Sequence, residues 1–105
     1  MDAIFKALAD PTRRTLLDRL LDQQGQTLTE LVDGLRMRRQ SVAKHLGVLE
    51  SAGLVNCEWH GREKLHYLNP VPIAEISRRW LDRFSGPRAA AILNLRDALE
   101  ERNDD

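Results

Sequence analysis

The sequence predicts a mostly helical α+β domain: four helices, a β-hairpin and two further helices, in the order α-α-α-α-β-β-α-α. Three stretches carry this reading. Residues 38–52 form an amphipathic helix, with Val42, Leu46 and Leu49 recurring at i, i+4 and i+7 and Gly53 as its stop. Just before it, Thr27-x-x-Glu30 is a capping box opening a short helix that turns Leu28, Leu31, Val32 and Leu35 inward. Residues 34–38 are the turn between these helices, and Met37 is expected to fill the space between them. Residues 54–60 and 63–69 are strand-like and meet at Gly61-Arg62, the tip of a hairpin.

The other elements follow from local chemistry. Ile4, Phe5 and Leu8 make a short first helix. Asp10-Pro11 starts the second, since a carboxylate caps free N–H groups and proline suits the first turn. Leu16, Leu17, Leu20 and Leu21 are expected to give that helix one buried stripe, and residues 22–26 a polar loop. Beyond the hairpin, Asn69-Pro70-Val71-Pro72 breaks the chain. The next helix carries Ile73, Ile76, Trp80, Leu81 and Phe84; Gly86-Pro87 ends it; Ile92, Leu95 and Leu99 stripe a last one.

At 105 residues and 42% hydrophobic, the chain is sized for one domain over residues 1–105. Formal net charge is zero, yet position matters more than the total. Residues 36–66 set Arg36, Arg38, Arg39, Lys44, Arg62 and Lys64 against Glu50, Glu58 and Glu63, a net +3, and include all three histidines, His45, His60 and His66. Both flanking segments are net acidic. Such a local basic footprint points to a polyanion. Cys57 is the only cysteine, so no intrachain disulfide forms. With no leader and no apolar run of about 18 residues, the expectation is a cytoplasmic protein with no membrane contact.

A short helix, a tight turn, a donor-rich helix and a hairpin make a winged helix-turn-helix. The helix-turn-helix spans about 28–52, the wing about 54–69 and the C-terminal helices about 72–101. Arg38, Arg39, Gln40, Ser41, Lys44 and His45 are the candidate DNA contacts. Arginine pairs with guanine and glutamine with adenine, while lysine, serine and histidine mostly anchor phosphates. Arg62 at the wing tip suits a minor groove, with Lys64 beside it on phosphate. Arg13 and Arg14, near a helix N-terminus, either meet phosphate or pair with Asp10 and Asp18, the second being preferred. Gly47 is odd in mid-helix, where it costs about 1 kcal/mol against alanine, and suggests a close backbone approach.

The sequence resembles the ArsR family of winged-helix repressors in four stretches: Ala7-Leu8-Ala9-Asp10-Pro11-Thr12-Arg13-Arg14, residues 39–46, residues 48–55, and Gly61-Arg62 with Tyr67-Leu68-Asn69. The resemblance implies a homodimer that represses transcription by occupying an inverted-repeat operator of double-stranded DNA. It puts the dimer interface on the terminal helices: Ile4, Phe5 and Leu8 in front, and Trp80, Leu81, Phe84, Ile92, Leu95 and Leu99 behind. A two-fold dimer sets its recognition helices about 34 Å apart. Metal-sensing members carry a Cys-x-Cys pair in the stretch that here reads Leu28-Thr29-Glu30-Leu31-Val32-Asp33-Gly34-Leu35, or Asp and His after the wing, where this chain offers Glu75 and Asp82 without histidine. The resemblance is therefore to a metal-independent branch, with no metal and no cofactor expected. Ala43 stands where many members place a DNA-facing serine.

Two alternatives stay open. With the turn at Gly61-Arg62, Cys57 lies opposite His66, and with His60 nearby this pair would make a metal or thiol-redox sensor. Two ligands are few for zinc, and a small thiol packed on a hairpin face is the plainer account. The other alternative is a protein-interaction module for which the basic face is dispensable. No Gly-rich phosphate loop, nucleophile–His–acid set or paired carboxylates stand out in the sequence, which argues against an enzyme.

Overall fold

The computed structural model describes residues 1–82 together with 94, 96 and 97. The chain divides into two units, Met1–Pro72 and Ile73–Asp105. The first holds α1 (Asp2–Leu8), α2 (Pro11–Asp22), α3 (Leu28–Val32), α4 (Arg39–Ser51), β1 (Val55–His60) and β2 (Glu63–Leu68). The strands form one antiparallel sheet in the register Val55↔Leu68 through His60↔Glu63, so Cys57 does pair with His66. This is the winged helix-turn-helix.

Capping residues set the helix starts. Asp10 sits at the N-cap of α2 and accepts the Arg13 backbone N–H at 3.1 Å, with Pro11 at the first helical position. Thr27 and Glu30 close their capping box on α3. At the end of α4, Gly53 takes φ +78° while Gly53 N and Leu54 N donate to the carbonyls of Glu50 and Leu49, a Schellman closure that aims the chain into β1.

The core is the apolar stripes closed on one another. Leu16 and Leu20 of α2, Leu31 of α3, Val42 and Leu49 of α4, and Leu54 are fully buried. Leu28, Val32, Leu35 and Met37 pack against them, as do Ile4 and Leu8 of α1. Leu21 departs from the expected stripe at 66% exposed. At about 100° per residue it turns away from the core face that Leu16, Leu17 and Leu20 share.

Three arginines of α2 hold the ends of neighbouring helices. Arg13 donates from Nε to the Ala7 carbonyl at 2.7 Å and from a terminal nitrogen to that of Lys6 at 2.9 Å, and Arg14 reaches the Leu8 carbonyl at 2.7 Å. These are the C-terminal carbonyls of α1, so cations near the start of α2 stand at the negative pole of α1. The expected pairing of the Arg13 and Arg14 side chains with Asp10 and Asp18 is replaced by these caps. Arg19 does the same for α3, donating to Leu31 O at 3.0 Å and to Asp33 O.

The polar loop also proves structural. Gln26 is 8% exposed and His66 4%, and their backbones bridge, with His66 N donating to Gln26 O at 2.8 Å and Gln26 N to His66 O at 3.2 Å. The Gln26 side-chain amide donates to the carbonyls of Arg19 and Gln23, closing α2. Gly25 has φ +78° and lies against Tyr67, whose hydroxyl is 3.2 Å from where a Cβ would stand. On the far side of the wing, Asn69 bonds to the carbonyls of Gly53 and Leu54.

α5 (Val71–Ser77) begins at the last two residues of the first unit and leads, in the second, into a π-helical turn, Arg78–Asp82. The turn breaks the 3.6-residue register that was expected to run from Ile73 through Phe84. Ile73 and Trp80 are exposed, and the Arg79 guanidinium lies 5.6 Å from the Trp80 ring centre. Residues 94, 96 and 97 are helical. Phe84, Ile92, Leu95 and Leu99 lie outside the described residues, and of the Leu81 side chain nothing is described. No helix among the described residues is long and apolar enough to cross a membrane.

Leu20→Ala should cost about 2–5 kcal/mol in urea unfolding, whereas Leu21→Ala should stay within about 0.5 kcal/mol. A Cβ at Gly47 would meet nothing within 4 Å, so no backbone of the described chain approaches it closely. Gly47→Ala is therefore expected to raise stability by about 0.5–1 kcal/mol in the same assay.

Candidate nucleic-acid interface

The geometry of α4 sorts its side chains into four sides. Val42, Leu46 and Leu49 are buried. At about 100° per residue, Gln40, Lys44 and Gly47 fall on the opposite side. Arg39, Ala43 and Glu50 line a groove of about 600 Å³ with Thr27, Thr29 and Glu30 at α3 and Trp59, Arg62, Glu63, Lys64 and His66 on the wing. Ser41 and His45 are half-buried on the remaining flank, His45 beside α2.

Tertiary contacts then divide the candidate residues. Arg38 is the N-cap of α4, its side chain unused for capping, and it is exposed along with Gln40, Lys44 and Arg62. Arg39 is exposed and donates to Thr29 Oγ1 at 2.8 Å, which joins α4 to α3. His45 Nδ1 lies 3.2 Å from an Arg13 guanidinium nitrogen and 3.9 Å from Asp10 Oδ1. A guanidinium only donates, so Nδ1 accepts and Nε2–H is the donor His45 retains. The Arg13 backbone N–H holds the Asp10 carboxyl below its usual range, against the effect of burial. Lys64 differs from the rest. Its Nζ is 3.2 Å from Glu50 Oε1, so its charge is met within the domain.

Glu50 is the centre of a small cluster that links α4 to both strands. Besides Lys64 it accepts the Cys57 thiol hydrogen at 3.0 Å. Burial pushes Glu50 up, but the Cys57 hydrogen bond and the Lys64 ammonium together leave its carboxyl below the ordinary value. Burial first, and then the Glu50 carboxylate, push the Cys57 thiol up to about 11. Cys57 is thus a protonated, weakly nucleophilic thiol at neutral pH.

A donor-bearing helix flanked by a short capped helix and an antiparallel hairpin defines a winged helix-turn-helix protein. The helix-turn-helix domain family matches residues 8–58. The HTH-type transcriptional regulator YuzN of Bacillus subtilis is 41% identical over 87 residues, covering 77% of this chain and 95% of that protein. The transcriptional repressor SdpR, also of Bacillus subtilis, is 30% identical over 84 residues, covering 80% and 91%. A crystal structure of an ArsR family transcriptional regulator superposes with a TM-score of 0.69 at 34% identity, covering 78% of this chain and 88% of that one. The chain belongs to the ArsR family of helix-turn-helix transcriptional regulators. It is a DNA-binding regulator of transcription and not an enzyme.

α3 turns Leu31 into the core and Leu28 and Val32 against it, and the 28–35 stretch has no thiol. No histidine follows His66 in the chain. What sequence reasoning missed is the buried partnership of Gln26 and His66, and the role of Glu50. Their signal was faint: an i, i+7 glutamine behind an arginine, and an acid ending an otherwise basic helix.

Alkylation of Cys57 by iodoacetamide near pH 8 should run roughly 100-fold slower than for a free thiol, because its pKa stands at about 11 against the ordinary 9.0. The rate should climb tenfold per pH unit up to that value, as read by mass spectrometry. Fast labelling at pH 8 would restore a reactive-thiol sensor.

Proposed function

We propose that the protein is a homodimeric repressor that occupies an inverted-repeat operator in the cytoplasm and recognises it without metal at the family's two usual positions. α4 enters the major groove and the wing lies along the flank. The observation that carries this is the outer side of α4: Gln40 and Lys44 are exposed there, with Arg38 and Arg39 at the helix start, while the opposite side is buried. In this reading Arg38, Arg39 and Gln40 address base edges from the helix N-terminus, and Ser41, Lys44 and His45 Nε2–H bind phosphate. Arg62 reaches the adjacent minor groove. Lys64 serves mainly to position the wing through Glu50.

Dimerisation through the terminal helices is supported by exposed Phe5, 42% accessible, and Trp80, 48% accessible. Ile4 and Leu8, which pack against the domain's own core, contribute at most their outer edges. The repressor assignment is supported by the likeness to SdpR, which is named a transcriptional repressor.

The test is a gel shift and footprint of the metal-free protein on DNA upstream of its own gene, across salt concentrations. A protected palindrome is expected. Arg39→Ala with Lys44→Ala should weaken binding at least about tenfold. The slope of log K against log salt should flatten by about 0.9 for each phosphate that the variant no longer neutralises. Trp80→Glu should yield monomers in sedimentation. An unchanged salt slope in the double variant would remove α4 from the interface.

A further inference from the structure

Glu50, Cys57 and His66 have a second property that operator binding does not use. They come from three elements, α4, β1 and β2, and one ligand atom from each lies within 4.8 Å of the other two. The backbone sets this spacing. Cys57 and His66 are cross-strand partners, and Glu50 stands one turn before the Gly53 closure that leads into β1.

The histidine is held as a metal ligand would be. His66 is 4% exposed, and its Nδ1 lies 2.9 Å from the Gln26 carbonyl oxygen. A carbonyl only accepts, so Nδ1 carries the ring proton and Nε2 keeps a lone pair, for which the described residues supply no hydrogen bond. Donation from the distal ring nitrogen to a backbone carbonyl is the arrangement that fixes tautomer and ring orientation in ligating histidines. The sulfur and the carboxylate are already converged, with Cys57 donating to Glu50 Oε1 at 3.0 Å.

We propose that Glu50, Cys57 and His66 form a three-donor site for a divalent zinc ion that ties α4 to the wing. One thiolate sulfur, one imidazole nitrogen and one carboxylate oxygen suit zinc. Copper(I) prefers more sulfur, and magnesium and calcium prefer oxygen alone. Glu50 and His66 also line the groove between α4 and the wing, which leaves room for water as a fourth ligand. On binding, the zinc–sulfur bond replaces the thiol S–H bond, the proton passes to solvent, and no electron is transferred. Lys64, 3.2 Å from the same carboxylate, is the competing cation and must give up its ion pair. The site uses none of residues 28–35 and does not depend on the repressor reading.

The test is titration of the reduced, metal-free full chain with cobalt(II), then zinc. The expected result is a one-equivalent thiolate-to-cobalt charge-transfer band in the near ultraviolet, bleached by zinc, together with a zinc-dependent rise in Tm. Cys57→Ser should abolish the band and the Tm rise. Glu50→Gln and His66→Gln should each weaken cobalt binding at least about tenfold, the smallest loss seen even for outer ligand partners. Lys64→Gln should tighten it. Circular dichroism checks each fold, and should His66→Gln unfold, the half-exposed Glu50→Gln and Cys57→Ser decide. No charge-transfer band in the wild type, or a zinc-induced Tm rise that survives Cys57→Ser, overturns the site. A folded His66→Gln that binds cobalt like the wild type removes histidine and overturns it equally.

Discussion

The bridge between Gln26 and His66 ties the wing to the end of α2, and the placement of the hairpin against the helices depends on it together with the Gly53 closure and the Asn69 bonds. A two-stranded hairpin alone is marginal in water. Here β2 gains a second partner in residue 26, and the Gln26 carbonyl takes both the backbone N–H and the ring N–H of His66. The Gln26 side chain at the same time closes α2. Both residues are buried and bonded, and orphaning a buried polar group costs about 1–3 kcal/mol. This pair therefore helps to set where the hairpin leaves the core, and with it where Arg62 stands relative to α4.

Helix ends are the second constraint. Short helices leave much of their backbone unpaired, and α1 and α3 are only 7 and 5 residues long. α2 supplies the missing donors: Arg13 and Arg14 to the end of α1, Arg19 to the end of α3. Much of the basic charge in the N-terminal third is thereby committed to the fold. The cations of α4 and the wing tip remain exposed, which sharpens the footprint that a neutral net charge conceals.

Most of the helix-turn-helix was legible in the residues. The Asp10-Pro11 start, the Thr27–Glu30 box, the Val42, Leu46 and Leu49 stripe, the Gly53 stop and the Cys57–His66 register are local signals, each set by residues a few positions apart. Leu21 escaped because a run of four leucines does not say which three face inward. Arg13, Arg14 and Lys64 escaped for a different reason. A cation pairs with whatever acceptor the fold brings near, and their acceptors were carbonyls of another helix and a carboxylate 14 residues away in the chain.

The sequence by itself determined the element order, the caps, the hairpin register and the buried side of α4, because hydrogen-bond closure and helical periodicity act over one or two turns. Only the tertiary structure decided which polar groups are spent inside the domain. Gln26 meets His66 across 40 residues, His45 meets Arg13 across 32, and Glu50 gathers Lys64 and Cys57 from two strands. Such pairings depend on how whole elements pack, and no spacing within one element encodes them.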